Sequence, residues 1–204
     1  MPTLDRSQAI ATGRYIIQQE IEALQALQAL LGEEFWQCAR LLCDCPGVVW
    51  TTAVGTSATV AERLAHILTC SGGRSMFLST QEGLHGHTLV IQPSDVLVAM
   101  SRGGESKEVN QMVAIANRRQ ASTVAFVHHT TSTLARACGY ILPIPSPQEF
   151  ELAGYLATTS TVAFSAMCDA LCGVVIAEKG FDPKEFGTTH PGGAVGAALA
   201  DQDN

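Results

Sequence analysis

Residues 96–127 read VLVAMSRGGESKEVNQMVAIANRRQASTVAFV. The stretch opens on five apolar residues, Val96 to Met100, without a 3.6-residue period, so they read as a strand buried on both faces. A polar loop follows, Ser101-Arg102-Gly103-Gly104-Glu105-Ser106. Val109, Met112, Val113 and Ala116 then recur at helical spacing. Thr123 to Val127 is a second apolar, β-branched run. Strand, loop, helix and strand in this order, with no polar alternation in the strands, make a βαβ unit of a parallel sheet.

The same grammar extends in both directions. Upstream, Val48 to Val54 reads as a buried strand, followed by Gly55-Thr56-Ser57 and a helix with Val60, Leu64, Ile67 and Leu68 inward. Met76 to Leu78 is a short strand. Downstream, residues 131–138 form a short helix and Tyr140 to Ile144 a fifth strand. Pro143, Pro145 and Pro147 break the chain, and a long helix is predicted from about residue 149 to 178. The tail from Phe181 carries His190-Pro191-Gly192-Gly193. Residues 4–45 are helical throughout. Ile10, Ile17, Ile21, Leu24, Leu27 and Leu31 share one stripe, and Phe35, Cys38, Ala39 and Leu42 continue the period after Gly32. The predicted architecture is α/β: a doubly wound, mainly parallel five-stranded sheet flanked by helices. A helical arm over residues 1–46 belongs to the same domain as the α/β body over 47–204. The arm packs either on a neighbouring copy or within its own chain.

Twelve basic and nineteen acidic residues leave a net charge of −7, the wrong balance for a phosphate-backbone binder, so nucleic acid is excluded as the main partner. A small anionic ligand needs only a local nest of donors and is not excluded. Charged residues are 15% of the chain and hydrophobic residues 47%. A surface so poor in charge points to buried subunit interfaces. The first residues have no apolar segment of a signal peptide, and no apolar run approaches the ~20 residues of a membrane span. The expectation is a soluble, cytoplasmic, reduced protein with no membrane partner. Cys43-Asp44-Cys45 is the closest cysteine pair. It has no second pair and no histidine at zinc spacing, so no metal is expected.

Three polar loops are placed to carry chemistry, because ligands of open α/β sheets bind beyond the carboxyl ends of the strands. In Gly55-Thr56-Ser57 the Ser57 hydroxyl is either a helix N-cap or part of a phosphate site that uses the same free N–H groups. In the loop 101–106, Gly103 and Gly104 let the backbone approach an anion, and Ser101 and Ser106 offer hydroxyls. Glu105 fits there if it binds hydroxyls or caps the turn. Glu108 is either part of that site or a carboxylate favoured by the helix dipole. The run Thr158-Thr159-Ser160-Thr161 is either a polar pocket or helix start, or a set of back-bonding hydroxyls inside a buried helix. Among the histidines, His128-His129 ends a strand at the ligand end, His66 reads as structural, and His85 and His87 share a loop. His190 stands before Pro-Gly-Gly, in a setting suited to a poised base.

Taken in order, Gly55-x-Ser57, Glu82-x-x-His85-Gly86, Ser101-x-x-Gly104-Glu105-Ser106-x-Glu108, Thr158-x-Ser160-Thr161 and His190-Pro191-Gly192-Gly193-Ala194 resemble the sugar isomerase (SIS) domain. More narrowly they are similar to its arabinose 5-phosphate isomerase branch, over about residues 10–200. Full-length members often append a pair of CBS domains, and this chain stops before them. The resemblance implies aldose–ketose isomerisation of a five-carbon sugar phosphate through an enediol, with no cofactor. It implies His85, Glu108, Glu149 and His190 as catalytic residues. It places Gly55, Thr56, Ser57, Ser101, Gly103, Gly104, Glu105, Ser106, Thr158 and Ser160 at phosphate or sugar contacts. It also implies a homotetramer or dimer with sites built between subunits. The chain departs from the family pattern in four places. The lysine after the first glycine is Thr56, and the histidine three residues on is Thr59. Ser-Asn-Ser-Gly becomes Ser101-Arg102-Gly103-Gly104, and the aspartate after His85-Gly86 is His87. Losing a preorganised donor such as that lysine costs about 2.7–4 kcal/mol in the transition state. The alternative reading is therefore a non-catalytic sugar-phosphate sensor.

Overall fold

The apolar runs become strands because helices cover both of their faces. The structure, a computed structural model, describes residues 4–190. Five strands, β1 (Val49–Ala53), β2 (Ser75–Phe77), β3 (Val96–Met100), β4 (Ser122–Val127) and β5 (Tyr140–Pro143), form one sheet in the order β2-β1-β3-β4-β5. All neighbouring pairs are parallel. The winding reverses between β1 and β3, where Ala53 lies opposite Met100. The loops leaving these two strands therefore stand side by side at the topological switch point.

The helices are α1 (Arg6–Ala29), α2 (Glu33–Cys43), α3 (Thr56–Cys70), α4 (Thr80–Leu84), α5 (Lys107–Arg118), α6 (Thr133–Ala137), α7 (Thr159–Lys179) and α8 (Pro183–Thr189). Short 3₁₀ turns occupy His87–Val90 and Gln148–Phe150. Side chains of β3 alternate between two cores. Val96, Val98 and Met100 join Leu42, Leu64, Phe164, Met167 and Leu171 on one face. Leu97 and Ala99 join Val109, Met112, Val113, Ala116 and Leu134 on the other. The four inward residues read for α5 are all fully buried, so its helical period and its packing agree.

Two expectations are corrected. The long helix starts at Thr159 rather than near 149. Residues 151–156 instead turn back on themselves, with Ala153 and Gly154 at positive φ and a bridge between Leu152 and Leu156. The buried carboxylate of Glu151 holds the start of α7 at this later position. Once in place, α7 is long and apolar enough by length and composition to cross a membrane, against the expectation that no run approaches such a span. Asp169 and the hydroxyls of Thr159–Thr161 and Ser165 dilute that run in the sequence. Its buried residues pack in the core between α1, α2 and α3.

For α1 the sequence left open whether the arm packs within its own chain or on a neighbouring copy. Asp5 and Gln8 close a reciprocal capping box at its start. Leu27 of the apolar stripe is buried against α7 with Gln19 and Ala23, and Leu24 packs against the same core, so the stripe is used in part within the chain. At 100° per residue Ile10, Ile17 and Ile21 are centred roughly 140° around the helix from that buried face. These three consequently remain exposed, as does Leu31 just beyond the helix.

Candidate functional site

Besides the five-residue α4 after β2, four helices start beyond the carboxyl ends of β1, β3, β4 and, after a longer connection, β5, and they differ in how their free N–H groups are satisfied. The N-cap of α3 is Gly55, at φ 60°, with no side-chain cap. Ser57 thus lies inside the first turn, which removes the N-cap reading of its hydroxyl. The N-cap of α5 is Ser106, also without a side-chain cap bond. Its Oγ lies 3.1 Å from Ser101 Oγ instead. Two uncapped helix starts therefore flank the switch point, with the hydroxyls of Ser57, Ser101 and Ser106 between them. Open amides, dipole ends and hydroxyls in this combination are the groups that an anion seat is built from.

The other two helix starts are already filled by the chain's own carboxylates. Glu105 accepts from Thr133 N at 2.8 Å and from Thr133 Oγ1 at 2.7 Å, so it caps α6, where Ser132 Oγ also accepts from Ala135 N. These bonds hold the Glu105 carboxyl below its ordinary range. Glu105 thus ties the loop 101–106 to a neighbouring helix, the capping role that the sequence reading left open. Gly104 takes φ 70° where the loop passes α6, and a Cβ there would run into Ser132.

Glu151 fills the start of α7. Its carboxylate is almost fully buried. Oε1 accepts from Ser146 Oγ at 2.7 Å and from Ser160 N at 3.1 Å, and Oε2 accepts from Thr158 N at 2.6 Å. Arg102 Nε stands 3.1 Å from the same carboxylate, and Arg102 Nη2 donates to the Ser146 carbonyl at 2.7 Å. Burial raises the Glu151 carboxyl, but the bonds from Ser160, Thr158 and Ser146 outweigh it and the net shift is downward. The charge that Arg102 adds to the loop is therefore balanced inside the protein. The run 158–161 is a helix start, with Thr158 and Ser160 held through their backbone amides by Glu151. Ser160 Oγ is buried without a well-formed hydrogen bond, as is Asn110 Oδ1 below the loop.

His128, at the end of β4, joins this network through Ser146, whose N–H donates to Nδ1 at 3.0 Å. The same Nδ1 lies 3.2 Å from the Ile144 carbonyl. Burial lowers the His128 pKa, assisted by His129 and Arg102. The His128 and His129 rings meet edge to face, 4.7 Å apart.

The four catalytic candidates are not brought together within one chain. Glu108 is exposed in the first turn of α5, beside the candidate anion seat. Glu149 is exposed in the 3₁₀ turn after β5, near enough to oppose the lowering of His128. His85 is exposed after α4, a helix that packs on α5. His190 stands at the other end of the molecule. From Thr159 at the ligand end, α7 runs 21 residues, about 30 Å, before α8. His190 stacks on Phe186 with centroids 3.8 Å apart and lines a groove with His66 and Cys70 at the end of α3. His66 is exposed there, 3.7 Å from Cys70 Sγ, rather than structural. Pro191 to Ala194 lie outside the described residues. Arg102, His128, Ser146 and Glu151 are site residues that sequence reasoning left out of its list. Arg102 and His128 carried a signal, as a departure from the family pattern and as a histidine at a strand end. Nothing local separates Glu151 from Glu149.

The SIS domain family profile matches residues 45–172. Arabinose 5-phosphate isomerase KdsD of Yersinia pestis is 31% identical over 198 residues, covering 97% of this chain. The chain spans 60% of the length of that curated relative. Among solved structures, an Escherichia coli CFT073 protein in complex with a sugar phosphate superposes with a TM-score of 0.87 at 24% identity, covering 92% of this chain and all of the other. The Vibrio vulnificus NanR protein complexed with ManNAc-6P superposes at 0.71 and 19% identity, covering 84% of this chain and 67% of that one. The structural likenesses are likenesses of fold.

Proposed function

The chain belongs to the SIS domain family, and on that premise we propose that it is a phosphosugar aldose–ketose isomerase acting on arabinose 5-phosphate and ribulose 5-phosphate. The observation that carries this reading is the pair of uncapped helix starts, α3 and α5, at the switch point of a chain 31% identical to an arabinose 5-phosphate isomerase. The phosphate sits between them, on Gly55, Thr56, Ser57, Ser101, Gly103, Gly104 and Ser106. The sugar extends toward β5 and α7, where Glu149 stands.

Isomerisation moves a proton between C1 and C2 through an enediol, so it needs an acid/base group there and a donor to the developing oxyanion. Glu108 and Glu149 are the carboxylates that one chain offers at this rim. His190 is roughly a helix length away in its own chain, so in this reading a second copy supplies it, and His85 also faces a neighbour. The proposal therefore includes a homo-oligomer, with a tetramer as the expected form. The exposed Ile10, Ile17 and Ile21 of α1, with Leu31 just beyond it, support buried interfaces between copies. The reaction requires neither a redox cofactor nor a metal.

Thr56, exposed where the family pattern has lysine, favours a second reading as a sugar-phosphate sensor without turnover. NanR of Vibrio vulnificus, complexed with ManNAc-6P, shares the fold and supports this alternative. Proton NMR in deuterated buffer separates the two, with arabinose 5-phosphate and ribulose 5-phosphate supplied separately. The isomerase interconverts them and places deuterium at C2. Saturable binding without exchange transfers the assignment to the sensor.

A further inference from the structure

The ligand end of the sheet holds more anion-binding capacity than one phosphate requires. Four helix starts converge there, and the protein closes two of them with its own carboxylates. At α6 the closing carboxylate, Glu105, is exposed and a hydroxyl cap from Ser132 supports it. At α7 the closure is of another kind. Glu151 is buried, collects the N–H groups of Thr158 and Ser160, and is neutralised by Arg102 from the loop that carries the proposed phosphate seat. A carboxylate on two helix amides, beside a hydroxyl and a guanidinium, makes the contacts that a phosphate monoester would make.

The buried Ser160 hydroxyl is an independent sign. It makes no well-formed hydrogen bond, although it lies near enough to Glu151 to help hold that carboxyl down and the backbone N–H of the same residue donates to Glu151. An unmade bond at a buried hydroxyl is costly. The Ser160 hydroxyl is thus a buried donor beside the carboxylate without a well-formed bond to it, and a phosphate has further oxygens to accept from it.

We infer that Glu151 is a resident anion that reserves the start of α7, so that a phosphosugar can place its phosphate only between α3 and α5. Glu151 is then a specificity-determining residue: it sets which way round the ligand lies. Were the α7 start open, the ligand would have two phosphate seats, and in the second its carbonyl end would point away from Glu149. This inference rests on the phosphosugar reading of the crevice, and its test uses inorganic phosphate so that the two stand or fall separately.

The experiment is equilibrium dialysis of the full chain against labelled inorganic phosphate at constant ionic strength, for the natural protein, Glu151→Ala and Glu151→Gln. Alanine removes both the charge and the volume of the side chain, whereas glutamine removes only the charge and still fills the space. The natural protein is expected to bind about one phosphate per chain, Glu151→Ala about two, and Glu151→Gln about one. Glu151→Ala will lose thermal stability, and added phosphate or acetate is expected to restore it more than either stabilises the natural protein. No gain in bound phosphate from the natural protein to Glu151→Ala, or two phosphates per chain in the natural protein, would overturn the inference. So would a Glu151→Ala chain that neither anion rescues. A natural protein that binds none while Glu151→Ala binds one keeps the reserved seat and instead removes the proposed phosphate site between α3 and α5.

Discussion

At the residue scale, His128 shows how burial sets a charge state. Its Nδ1 accepts the Ser146 N–H, and burial, His129 and Arg102 all disfavour the imidazolium, while the Ile144 carbonyl and Glu149 favour it. The net effect is a folded-state pKa below the ordinary 6.5. Between that depressed value and 6.5 the unfolded chain binds more protons than the folded one, so stability rises with pH there. The His128 contribution is fully present above about pH 6.5 and is lost as pH falls through the folded value. Urea midpoints measured from about pH 7 to about pH 5 are expected to fall, and His128→Asn to flatten that slope. A slope identical in the variant would place the titration elsewhere. The catalytic assignment is residue-scale too. Glu149 and Glu151 are two positions apart in a stretch without helical period, and no local property says that one is exposed and the other buried.

At the scale of elements, the loop 101–106 is held from both sides. Glu105 and Gly104 bind it to the start of α6, and Arg102 binds it to Ser146 and Glu151. Gly104 is the position with least freedom, since it combines a positive φ with close approach to Ser132. Gly104→Ala adds both left-handed strain and a steric overlap, together about 2–4 kcal/mol. Chemical denaturation is expected to show that loss, along with weaker phosphate binding because the loop must shift. An unchanged midpoint would mean that the loop relaxes without cost. The element order was legible in the sequence because uninterrupted apolar runs and 3.6-residue stripes are local signals. The start of α7 was not legible, because Glu151 caps that helix from outside it and the hydroxyl run 158–161 reads equally well as helix interior.

At the scale of the molecule, the proposed site is incomplete in a single chain. The crevice between α3 and α5 and the groove holding His190 occupy opposite ends of the sheet. Ile10 and Ile17 of the α1 stripe are exposed on a helix that already has its intramolecular face, and Ile21 is exposed beside the groove between α1 and α7. If copies pair through that stripe, Ile17→Glu with Ile21→Glu will lower the mass seen by sedimentation while leaving the far-ultraviolet circular dichroism unchanged. Turnover, where present, is expected to fall with the loss of assembly. A natural protein that sediments as a monomer yet turns over would remove the shared-site proposal.

By itself the sequence determined the five strands, the helices between them apart from the short α4, the parallel sheet and the position of the polar loops at its ligand end, but not α8 in the tail. Each of these follows from hydropathy period and turn chemistry within a few residues of chain. It also carried the motif order by which the family was recognised. Tertiary structure alone decided which helix starts stay open, which carboxylates close the others, and at which end His190 stands. Those outcomes depend on groups distant along the chain, such as Glu105 on Thr133, 28 residues away, and Arg102 on Ser146, 44 residues away. Only closure of the sheet brings such partners within hydrogen-bonding distance, so no local pattern could encode them.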